Sequence, residues 1–559
     1  MQREASFIIR NARVLTMDEA NPRASALAIS GNRILAVGSE AAIDAFSGPD
    51  THVIDAKGGT VLPGFNEAHM HIFGGSAELR ELSLLGLKGF DALEKALKAY
   101  ASDYPQRRLL IAQHADYTIL GDERMTRHHL DRILPDRAVL IFAPDHHTAW
   151  ANTLALDMGG ILKGRDVGVG KEIVMGEDGL ANGELRESNA IRPVSALGET
   201  GGRDMLGIGT GGDPEHVTAE ERAGDIEILK EGLAYVASLG ITSLQNMDGS
   251  LYQLEMLDEI ERTVGLPVRV RMPFHMKNFM PLSDLETKAA AWRARFDSDR
   301  LRSDFVKLFM DGVTESGTAV FIDDYAHQPG WKGEPLFSQA HFDSIAIAAD
   351  RLGLPVAVHA IGDGAVRMVL NGYEAAMKAN GKRDSRNRIE HIEVVHPDDI
   401  ARFKQLGTVA SMQPTHPPGS AGLPLEPYLS YIGEERWPHA FAWRTLVDAG
   451  ADIVFATDWP VSPLDPMHCI QCAMTRKVWK DGMKDERLSL HETLAAYTKN
   501  GAWVEFMEDR KGMLKAGYLA DIVVLSADVE AADPADLAAI RPVTTICDGR
   551  ITYQAQEGP

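Results

Sequence analysis

Apolar and polar positions alternate with a period of two through the opening of the chain, the pattern of strands that bury one face. Phe7-Ile-Ile-Arg-Asn-Ala-Arg-Val-Leu-Thr16, Ala26-Leu-Ala-Ile-Ser-Gly-Asn-Arg-Ile-Leu-Ala-Val37 with Gly31-Asn32 at its turn, and His52-Val-Ile-Asp55 read as β structure. The last segment returns to this style in Asp521-Ile-Val-Val-Leu525 and in Val543-Thr-Thr-Ile-Cys-Asp-Gly-Arg-Ile-Thr-Tyr553, where Asp548-Gly549 signals a hairpin. Neither end has enough strands to close a sandwich alone. The termini are therefore expected to join in one composite β-sandwich domain, residues 1–62 plus 508–559, with the rest of the chain inserted in it.

Between them, apolar runs alternate with helical patterns such as Ala219 to Val236, which predicts βα units and a parallel sheet. The candidate strands, in order, lie at Val61-Leu62, Leu109–Ala112, Ala138–Phe142, Ile241–Leu244, Val268–Met272, Phe305–Phe309, Val356–His359, Arg388–Ile392, Val409–Met412 and Ile453–Ala456. These are two more than a (β/α)8 barrel uses. The second and third crowd against a Gly-rich tract, Gly159 to Gly212, that has little periodicity. Placing residues 75–220 in an inserted α/β lid domain leaves eight strands for a TIM-type barrel over residues 63–74 plus 221–507.

The chain has 559 residues and a net charge of −23, from 57 basic and 80 acidic side chains. That excess repels phosphate backbones and anionic lipid, and no local basic patch offsets it, so neither nucleic acid nor a membrane surface is an expected partner. The expected partners are a small-molecule substrate and a second copy of the chain in a homodimer. No apolar stretch approaches membrane-spanning length, and the opening Met1-Gln-Arg-Glu-Ala-Ser6 lacks a signal peptide's apolar core, so the expected location is cytoplasmic. Three cysteines, Cys469, Cys472 and Cys547, are too few for a disulfide framework and read as packed thiols.

Val61-Leu-Pro-Gly-Phe-Asn-Glu-Ala-His69-Met-His71 carries the clearest chemical signal. Residues two apart on a strand share a face, so His69 and His71 can aim two imidazoles at one point. Ionisable residues recur at the C-terminal ends of later strands, where barrel enzymes assemble their sites: His359, His391 and Asp458. Each has a plain structural alternative, an imidazole satisfied by a backbone carbonyl or an aspartate capping the next helix. One cation satisfies all of them together. His114, His146, His147, His275 and His416 also stand near strand ends, so histidine abundance by itself selects nothing.

Lys307 is flanked by apolar residues within Phe305-Val-Lys-Leu-Phe309. Desolvation there favours the neutral amine. A neutral amine can add carbon dioxide to form a carbamate, an anionic bridge between two cations. The alternative is a lysine paired with Asp311 or another carboxylate.

The ordered set His69-Met-His71 after Leu62-Pro-Gly-Phe65, Lys307, His359, His391 and Asp458 resembles the metal set of the amidohydrolase superfamily. Asp145-His-His-Thr-Ala-Trp-Ala-Asn152, Lys307-Leu-Phe-Met-Asp-Gly312, His359-Ala-Ile-Gly-Asp363, Met412-Gln-Pro-Thr-His416 and Ala456-Thr-Asp-Trp-Pro460 are similar to the amidohydrolase-3 (YtcJ-like) branch, which includes N-substituted formamide deformylases. The likeness spans essentially the whole chain. It implies two divalent metal ions, zinc by ligand type, held by His69, His71, Lys307 as its carbamate, His359, His391 and Asp458. It also implies that His147 contacts the substrate. Gln413 and Trp459 are candidate lining residues, and Asp363 is read as a helix cap. Two departures stand out: Asn66-Glu67 where the branch usually has an apolar residue and Asp, and His146 where it often has Gly.

The expected activity is metal-dependent hydrolysis of a non-peptide carbon–nitrogen bond, of amide or formamide type, in a small molecule. Asp458 would be the catalytic proton carrier. A mononuclear deaminase that dispenses with Lys307 and a metal-bound noncatalytic scaffold are the alternatives.

Overall fold

The computed structural model describes residues 4–556 apart from Asp145, His147, Val169 and Gly170. The chain forms two compact units: the segment up to His71 together with Leu233 onward, and Ile72–Gly232.

In the first unit the terminal strands share one sheet. Thr60–Pro63 pairs in parallel with Arg13–Leu15 on one side and antiparallel with Ile522–Leu525 on the other, Leu62 standing opposite Val523. Pro542–Cys547 and Arg550–Gln554 extend this sheet as a hairpin. A four-stranded sheet, in the order Arg33–Gly38, Ala26–Ser30, Phe7–Arg10, His52–Asp55, contributes to the same core. Alternation supplies that core: Ile9, Leu27, Ile29, Val61, Ile522, Val524 and Ile546 are buried together.

The rest of the first unit is built on two parallel sheets. One runs Leu301–Arg302, Arg269–Arg271, Ile241–Asn246, Phe65–Met70; the other runs Phe274–His275, Val306–Phe309, Val356–Ala360, Arg388–His391, Val409–Met412, Ile453–Phe455. Nearly all of these strand residues are buried, so Val356–Ala360, Val409–Met412 and Ile453–Phe455 read as near-continuous apolar runs rather than alternating ones. Met70 and Trp459 form a parallel bridge, and the Asp458 amide donates to the His69 carbonyl at 3.0 Å, so the first and last of these strands end beside each other. Helices Gln339–Arg351, Asp363–Asn380 and Pro397–Leu406 lie between successive strands. Ser338 caps the first of them by accepting from the His341 amide.

The second unit has its own six-stranded sheet: Glu172–Met175, Ala181–Arg186, Thr148–Ala151, Ala138–Phe142, Leu109–Gln113, Leu82–Ser83. Alternate residues of its central strands enter two separate cores, Leu110, Val139 and Ile141 in one and Leu109, Ala138 and Leu140 in the other. The Gly-rich tract is more ordered than its weak periodicity suggests. It holds the strands Glu172–Met175 and Ala181–Arg186 and the helix Ser188–Ser195, elements too short to show a period.

Candidate metal centre

His69 lies on the strand Phe65–Met70 and His71 immediately follows it. Their Nδ1 atoms donate to carboxylates, His69 to Glu390 Oε2 at 2.7 Å and His71 to Asp248 Oδ1 at 2.8 Å. Those bonds fix the ring orientation and turn both Nε2 atoms toward Asp458 Oδ1, each at 3.2 Å. Burial disfavours the charged form of His71, but its bonds to Asp248 and Asp458 outweigh this and raise its pKa to about 9. Burial likewise works against ionised Asp458, and the facing imidazoles overcome it, holding the carboxyl well below its usual range.

His359 and His391 are backed differently. His359 Nε2 donates to the Gly312 carbonyl at 3.0 Å, and His391 Nδ1 donates to the Gln413 side-chain oxygen at 2.9 Å. Burial and the neighbouring positive groups push the His359 pKa down to about 3 and that of His391 well below the ordinary value, so both rings are neutral. Their centroids are 4.5 Å apart, and His391 lies 4.9 Å from His69. His391 (φ 75°) and Asp458 (φ 60°) are both left-handed, a costly backbone state for non-glycine residues that is often held at functional sites.

Lys307 is fully buried, and its Nζ has no hydrogen-bond partner among the described residues. Burial lowers its pKa to about 8, although Glu390 and Asp458 pull the other way. The alternative pairing with Asp311 is not what the structure shows. Asp311 instead accepts backbone N–H groups from Val320, Ile361 and Gly362.

One ligand atom from each of His69, His71 and Asp458 lies within 4.8 Å of the others, and the same holds for His391, His416 and Asp458. His359 belongs to neither group, but its ring packs against His391 and, at 4.6 Å, Phe309. Gln413 Nε2 is buried with no partner among the described residues, while its oxygen serves His391. Trp459 is buried, with its ring 5.8 Å from Tyr235. His147 lies outside the described residues. Asp363 does not cap its helix through its side chain: Gly362 is the capping residue, and Asp363 Oδ1 accepts from the Ile322 amide.

Glu390 and Asp248, which orient His69 and His71, escaped the sequence reading. The available signal for Glu390 was a carboxylate directly before His391 on the predicted strand Arg388–Ile392. Glu67 supports the centre from behind: its carboxylate accepts the Thr457 amide at 2.5 Å and hydroxyl at 3.0 Å, directly before Asp458. Burial raises the Glu67 pKa to about 8.

Residues 52–553 match the model of the amidohydrolase family, and the chain belongs to it. Its class is that of a hydrolase acting on carbon–nitrogen bonds. It is 28% identical to Protein LONG AFTER FAR-RED 3 of Arabidopsis thaliana over 93% of this chain and 87% of that one. It is 26% identical to the putative amidohydrolase YtcJ of Bacillus subtilis (strain 168), with 97% and 98% covered. It is also 26% identical to the N-substituted formamide deformylase of Arthrobacter pascens, with 99% of each chain covered. Among solved structures, an uncharacterized metal-dependent hydrolase from Pyrococcus furiosus superposes with a TM-score of 0.70 at 27% identity, covering 95% of this chain and 99% of that one.

Proposed function

We propose that this protein hydrolyses a non-peptide amide bond, of formamide type, in a small molecule, using two divalent cations at the ends of the parallel strands. The observation that carries the reading is the convergence of the His69 and His71 Nε2 atoms on Asp458 beside a buried Lys307 amine with no hydrogen-bond partner among the described residues. The donor set fits the group: neutral imidazoles at His359 and His391, an ionised carboxylate at Asp458, and an amine whose lowered pKa favours carbamate formation. Imidazole and carboxylate donors suit zinc. The parallel pairings and the Met70–Trp459 bridge support a closed (β/α)8 barrel as the scaffold.

His69, His71, His359, His391, Asp458 and the carbamate of Lys307 would hold the cations. When bound, they supply Lewis-acid activation of water and of the scissile carbonyl. Asp458 accepts the proton from the attacking water and passes it to the departing amine. Glu67 holds the Thr457 amide and hydroxyl, fixing the Asp458 carboxylate for that transfer. Gln413 Nε2, which is not used by His391, and Trp459 line the substrate's place. The formamide relative, similar over nearly its full length, favours an N-substituted formamide.

The test is zinc-loaded protein on a panel of N-substituted formamides and larger amides, reading formate or acid release together with the amine. Chelation should abolish turnover. Lys307→Ala should lose activity and about one cation per chain together. A single cation retained in Lys307→Ala, with the formamides left intact and ammonia released from an amino-substituted heterocycle added to the panel, would favour the mononuclear deaminase instead.

A further inference from the structure

We infer that the second unit holds a divalent transition-metal ion of the zinc class on Glu78, His114 and His146. The three residues arrive from separate elements. Glu78 ends the helix Ile72–Glu78, and His114 directly follows the strand Leu109–Gln113. His146 lies in the turn after Ala138–Phe142. The two strands are parallel neighbours, so their C-terminal ends emerge side by side, and the Ala115 amide donates to the Phe142 carbonyl at 2.9 Å.

One ligand atom from each residue lies within 4.8 Å of the other two. His146 Nδ1 is 3.6 Å from Glu78 Oε1, and the two imidazole planes stand at 88° with centroids 6.2 Å apart. A tetrahedral zinc with ligands at about 2.0–2.1 Å sets ligand atoms roughly 3.3 Å apart, so small side-chain rotations close the site. Two imidazoles and a carboxylate select zinc and its neighbours over magnesium or calcium, which take oxygen donors.

The surroundings demand a cation. Glu78 Oε2 is buried and has no hydrogen-bond partner among the described residues. Glu81 and Asp204 add negative charge, and burial with those two neighbours pushes the Glu78 carboxyl well above its ordinary pKa. Gln113 Nε2 donates to Glu81 Oε2 at 2.6 Å, a partner that Glu78 Oε2 lacks among the described residues. A bound cation would return Glu78 to its ionised form and join the helix end to both strand ends.

The experiment uses the full chain, stripped with a chelator and reloaded with zinc. Anomalous diffraction from wild-type crystals at the zinc edge should give a peak about 2 Å from ligand atoms of all three residues. His146→Gln and Glu78→Gln should each retain about one zinc per chain fewer than wild type after gel filtration, with Asp458 and its partner histidines untouched. A wild-type map without a peak between these residues overturns the proposal even if a variant fails to fold. Equal zinc content in wild type and a folded Glu78→Gln protein overturns it too, and leaves Glu78 as a protonated acid beside His146.

Discussion

The two histidine pairs of the candidate centre differ in what stands behind them. His69 and His71 are backed by the carboxylates of Glu390 and Asp248, whereas His359 and His391 are backed by a peptide carbonyl and an amide oxygen. A carboxylate behind an imidazole raises its basicity and strengthens it as a ligand; a neutral oxygen fixes orientation with little electronic gain. The first pair would therefore hold a cation more tightly than the second. Asp458 belongs to both halves: its Oδ1 faces His69 and His71, and it also offers a carboxylate oxygen within 4.8 Å of ligand atoms of His391 and His416.

Because Asp458 serves both halves, the largest effect is expected from Asp458→Asn. The amide keeps the shape but cannot carry the proton, so kcat should fall about a hundredfold or more with zinc largely retained. Turnover and zinc content, measured on one preparation, check this. A variant that keeps its rate would remove Asp458 from the chemistry.

Next come the carboxylates behind the first pair. Glu390→Gln and Asp248→Asn should each weaken zinc binding by about 10- to 100-fold. They should differ in stability. Glu390 Oε1 also pairs with the buried Arg388 at 2.6 Å, so its neutralisation leaves an uncompensated charge that costs about 3–5 kcal/mol. Asp248 forms no ion pair with an arginine or lysine among the described residues; Gln253 Nε2 donates to its second oxygen at 3.2 Å. Thermal melting of zinc-free protein should fall sharply for Glu390→Gln and little for Asp248→Asn. Equal melting in the two would break the distinction.

The facing residues were legible in the sequence because each stands at or just after the end of a predicted strand: His359 within Val356–Ala360, His391 closing Arg388–His391, Asp458 after Ile453–Phe455. The terminal strands Phe7–Arg10 and Ile522–Leu525 were legible from their apolar patterning, whereas Val61-Leu62, read as the first strand of the barrel, pairs instead with Ile522–Leu525 in the terminal sheet, and Phe65–Met70 takes its place among the parallel strands. The backing residues were not. Glu390 reaches His69 across 321 positions, and a hydrogen bond of that span leaves no periodicity. His416 was one of several strand-end histidines, and only the folded geometry sets it beside His391 and Asp458. The same is true of His114 and His146, whose approach to Glu78 depends on two neighbouring strands ending at one level.

The smallest expected effect is also the most direct test of the contrast between the pairs. Gln413→Glu keeps an oxygen for the His391 Nδ1 proton and gives that ring the carboxylate backing His69 already has. No other hydrogen bond within the described residues is broken, since Gln413 Nε2 has no partner among them, and a zinc titration without substrate is blind to the loss of that donor from the substrate's place. Zinc affinity of the weaker half should then rise by several-fold, up to about tenfold, read by titration against a competing chelator. Gln413→Leu removes the acceptor and should lower it, because the ring loses its orienting bond. Two opposite shifts from one position would tie the asymmetry to the backing group. If Gln413→Glu and Gln413→Leu bind zinc alike, the backing oxygen is not what separates the two pairs, and the difference must come from burial, which neither substitution changes much.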